Sequence, residues 1–172
     1  MTSIFTPSHV LDGTTIGDYA GYSTRMVCTI TGNAQGQVRV TLYGAPDIVT
    51  FDHASIGISN GTGGETTGTP TELKFGGSSG GTIPVSGTLV SDWLVFAGFT
   101  SSDKLVVTVD ISGGKPAYEN GITNVNCFRG TTPSYNQIAP AGFTELDGFC
   151  FMVSEIDTQV TPHSHTTVSY SG

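Results

Sequence analysis

Apolar residues return at every second position through much of the chain, and this period sets the first expectation. In "QVRVTLY", Val38, Val40 and Leu42 alternate with Gln37, Arg39, Thr41 and Tyr43, which places aliphatic groups on one strand face and polar groups on the other. "FDHASIGIS" sets Ala54, Ile56 and Ile58 against His53, Ser55 and Gly57, and "TELKF" sets Leu73 and Phe75 against Glu72 and Lys74. "DWLVFAGF" is denser, as is "KLVVTVDIS", where Leu105, Val107, Val109 and Ile111 form one face. In "DGFCFMVSEID", Phe149, Phe151 and Val153 oppose Cys150 and Met152, the pattern of one strand covered on both sides. With "STRMVCTI" near the start, about eight strands are predicted at a spacing that suggests a sandwich or barrel.

No window holds a helical apolar stripe beyond about two turns, because Gly or Pro interrupts nearly every candidate. A short helix or turn at "SYNQIAPAG" is the most the pattern allows. Residues 60–70 and 113–148 are expected to be long loops, the second packed on the fold by Tyr118, Phe128, Tyr135 and Phe143. "GGSSGG" at 76–81 is followed by a strand pattern and Pro84, with neither a helix nor a Lys to receive phosphate, so it reads as a tight connection. "TIPV" then forms a short edge strand, and "LVSDWLVF" re-enters the core. The domain reading is an N-terminal arm over 1–10, one sandwich over 11–158 and a polar tail over 159–172, with the arms ordering against a partner.

Composition agrees with strands joined by turns: charged residues make up 12% of 172 residues, and 24 are Gly. The formal charge of −8 comes with six scattered Lys and Arg, too few and too dispersed to displace counterions from phosphates. Neither nucleic acid nor an anionic membrane is therefore expected as a partner. No run approaches bilayer-spanning length and no signal-peptide pattern is present, so a soluble chain is expected. Cys28, Cys127 and Cys150 are an odd number without C-x-x-C spacing, and Cys28 and Cys150 lie in apolar patterns that suit buried free thiols.

Catalytic constellations are sparse. The histidines are His9, His53, His163 and His165, three of them in the expected arms, and no G-x-S-x-G elbow is present. Asp47 with Asp52, Asp103 with Asp110, and Glu145 with Asp147 are carboxylate pairs that could meet, without a diagnostic spacing. "HSH" at 163–165 supplies two metal ligands, short of a full site. No cofactor is expected; a structural calcium is considered as well, because Asp and Asn are plentiful although an EF-hand loop is missing. Sugar-stacking aromatics outside the strand cores would be Tyr43, Trp93, Tyr118 and Tyr135.

The strand-and-turn series from residue 20 to 157 resembles a non-catalytic jelly-roll module. Arg39 to Leu42, Ile56 to Gly57, Phe75 to Gly77, Thr82 to Gly87, Val90 to Asp92, and Asp103 to Val107 are similar to the sandwich that precedes the catalytic domain in GDSL-type (SGNH) esterases. They are also similar to modules of bacteriophage and prophage structural proteins. The esterases' G-D-S and D-x-x-H segments are not found, since "GDY" at 17–19 lacks the Ser, so no catalytic residue carries over. The resemblance implies an all-β, jelly-roll-like antiparallel sandwich and a non-enzymatic virion component, as head decoration or tail-fibre module. Its partners would be capsid or tail subunits, in a homo-oligomer or in many copies on the particle. The alternatives are a carbohydrate-binding module for host-surface glycans and, last, an accessory domain of a hydrolase.

Overall fold

Every regular element in the computed structural model, which describes residues 1–162, is a β-strand. In chain order these are β1 (Thr2–Phe5), β2 (Gly13–Thr14), β3 (Ser23–Thr29), β4 (Gly36–Tyr43) and β5 (Val49–Ile58). Next come β6 (Thr71–Leu73), β7 (Gly81–Ile83), β8 (Thr88–Val90), β9 (Leu94–Phe96) and β10 (Lys104–Gly113). The last five are β11 (Ala117–Glu119), β12 (Val125–Gly130), β13 (Thr144–Asp147), β14 (Cys150–Phe151) and β15 (Val153–Val160).

The strands form three antiparallel sheets. A five-stranded sheet runs β1-β15-β4, with β8 and β9 both paired to the far side of β4. A seven-stranded sheet runs β13-β12-β3-β10-β5, with β6 and β7 sharing the outer side of β5. A small third sheet joins β14, β11 and β2. The inward row of β4 (Val38, Val40, Leu42) and Ile156 of β15 join one buried cluster with Met26 and Cys28 of β3, Ala54 and Ile56 of β5, and Leu105, Val107 and Val109 of β10. The fold is thus a β-sandwich whose core comes from the alternating aliphatics that announced it.

Fifteen strands replace the expected eight because seven of the fifteen have three residues or fewer, too short to display alternation. The expected loop at 113–148 contains β11, β12 and β13, and β12 is an interior strand paired to β3 and β13. Its inward residues are Val125 and Cys127 and its outward ones Asn126 and Phe128, which dilutes the apolar signal. "SYNQIAPAG" forms turns without a helix. The supposed single strand at 147–157 divides at Met152, whose φ of 62° turns the chain out of β14 in the small sheet and into β15 in the five-stranded one.

"LVSDWLVF" does not enter the core as a whole: β8 and β9 are partly exposed edge strands, separated where Ser91 exchanges hydrogen bonds with Val40. Within 1–10, Thr2–Phe5 is a strand against β15 with Ile4 and Phe5 buried, so this part of the expected arm is ordered by the chain itself. "GGSSGG" is a tight turn as expected: Phe75 and Ser78 form an isolated bridge around Gly76 (φ 61°) and Gly77 (φ 83°). Both glycine N–H groups donate to the Asp92 carboxylate, at 2.9 and 2.8 Å. His163, His165 and the rest of the tail beyond Pro162 lie outside the described residues.

Candidate functional site

Because side chains alternate along β4, Gln37, Arg39 and Thr41 point away from the core, with Tyr43 at the strand's end partly buried against the core cluster, and they share this outer face with the cross-strand partners Val90, Val95, Glu155, Asp157 and Gln159. Arg39 is the centre of this face. Its Nε donates to Asp157 Oδ2 at 3.4 Å, its Nη2 touches Met1 Sδ at 2.9 Å, and its guanidinium carbon lies 4.6 Å from the Trp93 ring centroid. The Trp93 ring is held by cation–π attraction, and Asp157, the ion-pair partner of Arg39, is buried. Burial pushes the Asp157 carboxyl up from the usual carboxylate range, nearby Glu155 pushes it further, and Arg39 opposes both. On the β8–β9 edge, Val90 and Val95 remain 40% and 70% exposed, flanking Trp93 in sequence. The face thus sets one ordered aromatic ring and two exposed valines among polar neighbours, Gln37, Thr41 and Glu155, around the Arg39–Asp157 ion pair.

The four aromatics named from sequence fall in three places. Tyr43 and Trp93 belong to this outer face. Tyr118 lies in the small sheet, stacked on Phe149 at 5.8 Å and Phe151 at 5.7 Å, in a cluster that reaches Tyr19. Tyr135 lies on the outside of the seven-stranded sheet, stacked on His53 at 3.9 Å with an interplanar angle of 8°. They do not form one sugar platform.

The outside of the seven-stranded sheet holds the densest polar network. Cross-strand pairing puts Ser23 beside Asp110, and Arg25 beside Thr108, on the face opposite the core. Arg25 is fully buried, with Nη1 donating to the Gly64 carbonyl at 2.9 Å and Nη2 to the carbonyls of Ser134 (2.6 Å) and Gln137. Burial lowers the Arg25 pKa to about 10, partly offset by Asp110. Asp110 accepts from Ser23 Oγ at 2.6 Å and from the backbone N–H of Ser134 at 3.0 Å. These bonds pin the 131–143 loop over the sheet. The sequence shows Arg25 only as one of six scattered cations, and its neighbours along the chain give no local sign of the loop that covers it.

Beside this network, His53 Nδ1 lies 2.5 Å from Glu72 Oε2, and Glu72 Oε1 accepts from Lys74 Nζ at 2.6 Å. Burial alone would raise the Glu72 carboxyl, but the hydrogen bonds from Lys74 and His53 outweigh it and hold it below the usual range. Among the described residues no hydroxyl or thiol is hydrogen-bonded to His53, so its geometry is that of a packed, ion-paired side chain. Cys28 and Cys150 are free and buried as their apolar patterns suggest, Cys127 is free and buried on β12, and burial pushes all three thiols upward, that of Cys150 to about 12. They are therefore protonated and poorly nucleophilic near neutrality.

The pairing of Asp103 with Asp110 considered from sequence does not form. Asp103 and Asp110 lie seven residues apart along β10 and its entry, roughly 23 Å at about 3.3 Å per residue. Asp47 accepts from the Lys115 N–H at 3.0 Å, whereas Asp52 is exposed on β5. Glu145 and Asp147 share β13, and Glu145 accepts from Asn126 at 2.6 Å. Among the described residues no three His, Cys, Asp or Glu side chains gather in a metal-binding group. Compared with protein-family models and with curated proteins, the chain matches none.

Proposed function

We propose that the chain is a non-enzymatic structural module of a tailed-bacteriophage particle, a head decoration or a tail or fibre unit that works through protein contacts in multiple copies. The observation that carries this reading is the outer face of the five-stranded sheet, where Val90 and Val95 stand exposed beside a Trp93 ring locked on Arg39. A side chain already fixed loses little entropy on docking, and an aromatic anchor with aliphatic neighbours is the composition of interface centres. The neighbour expected on it is another particle subunit, because the short edge strands β8 and β9 also leave backbone groups free for strand pairing.

The resemblance of the strand-and-turn series to phage and esterase-associated sandwiches supports the particle setting. The packed, ion-paired His53 and the buried, protonated cysteines support a role without catalysis. Mass spectrometry of purified particles tests the setting, and Val95→Glu tests the face. The variant should fold normally, since Val95 is 70% exposed, yet be depleted from particles. Incorporation of Val95→Glu and Trp93→Ala at wild-type levels would rule this face out.

A further inference from the structure

A second surface is chemically unlike the first. On the outside of the seven-stranded sheet, β12 and β13, the 59–63 segment and the turn entering β10 enclose a groove of about 630 Å³. Val27 of β3 lines it together with Asn60, Asp103, Lys104, Asn126, Phe128 and Glu145. An adjoining hollow of about 500 Å³ shares Val27, Lys104 and Asn126 and continues to Asp147, making one extended trough. These volumes fall within the range of small-molecule sites, about 300–1,000 Å³, but such sites are mostly apolar and this one is mostly polar.

The hydrogen-bonding groups of the trough are only partly used. Glu145 Oε2 accepts from Asn126 Nδ2 at 2.6 Å and Asp103 Oδ2 from the Thr100 N–H at 2.8 Å, while the second oxygen of each carboxylate has no partner among the described residues. Asn126 Oδ1 is buried without any partner, a costly condition for a polar atom unless something else satisfies it. Lys104 forms no ion pair among the described residues, so its ammonium is available as a donor. The trough thus offers acceptors and a donor side by side, with one aromatic ring, Phe128, at its wall. Its carboxylates outnumber its one cation, which disfavours phosphates and other anions.

We infer that this trough binds a neutral, hydroxyl-rich ligand, a glycan segment of two or more sugar units. Sugar hydroxyls donate and accept at once, which suits the mixed set of Asp103, Lys104, Asn126 and Glu145, and a sugar's C–H face suits the Phe128 ring. The site is separate from Tyr43 and Trp93 and does not rest on the particle reading: a chain absent from particles could bind the glycan, and a particle subunit could lack it.

The test uses the full chain on a microbial-glycan array, followed by NMR titration with chitohexaose, cellohexaose and maltohexaose. At least one neutral glycan should bind and shift the amide signals of Asn126, Phe128 and Glu145. Lys104→Ala, on an exposed side chain, and Asn126→Ala should each weaken binding about tenfold, the loss expected for one good hydrogen bond, while Trp93→Ala leaves it unchanged. Thermal unfolding of each variant separates lost contacts from lost fold. Failure to bind any neutral glycan, binding confined to anionic glycans, or binding that is lost in Trp93→Ala but survives both groove variants would overturn the inference.

Discussion

Arg25 is the largest side chain with no solvent exposure, and it holds the loop carbonyls of Gly64, Ser134 and Gln137. Arg25→Met keeps much of the volume but leaves those carbonyls unpaired; a loss of about 2–4 kcal/mol is expected in urea unfolding. Hydrogen exchange should rise first at residues 131–143. Glu72 has a pH signature. Its folded carboxyl titrates below the unfolded value, so its contribution is complete above the ordinary glutamate range and lost as pH falls through the folded value. Glu72→Gln should therefore be less stable than wild type at pH 7, by no more than about 1 kcal/mol for such a partly exposed pair, and the gap should close in acid.

Among elements, the Gly76–Gly77 turn joins β6 to β7 through two N–H groups aimed at Asp92. Asp92→Ala should cost about 1 kcal/mol by removing the acceptor, and Gly77→Ala about 1–2 kcal/mol because an alanine at φ 83° is strained. Equilibrium denaturation checks both. Deleting Met1–Phe5 should cost several kcal/mol, since burial of a side chain such as Ile4 or Phe5 contributes roughly 1.5–3 kcal/mol. Long strands with one buried face were legible: β4, β5 and β10 fall where Val38, Ile56 and Val107 alternate with their neighbours. Strands of two or three residues, and β12 with its single inward valine, offered no period to detect. The candidate sites were legible only in fragments. Trp93 and Tyr43 were singled out, but Arg39 as the stacking partner, the burial of Arg25 and the Asn126–Glu145 trough all depend on pairings between distant segments.

For the whole molecule, nearly every sheet neighbour is distant in sequence: β15 inserts between β1 and β4, and β3 between β12 and β10. Such topology predicts slow folding, on the order of milliseconds to seconds, and a fold that a backbone break at 76–81 would disrupt as one unit. The net charge of −8 keeps copies apart in solution unless a specific face offsets the repulsion, the role assigned to the Trp93 surface. The central claim is that this surface seats the chain in a phage particle, and quantitative mass spectrometry of particles purified from the source tests it most directly. The account predicts the polypeptide in many copies per particle at fixed stoichiometry with the major head or tail protein; its absence from intact particles would contradict the account.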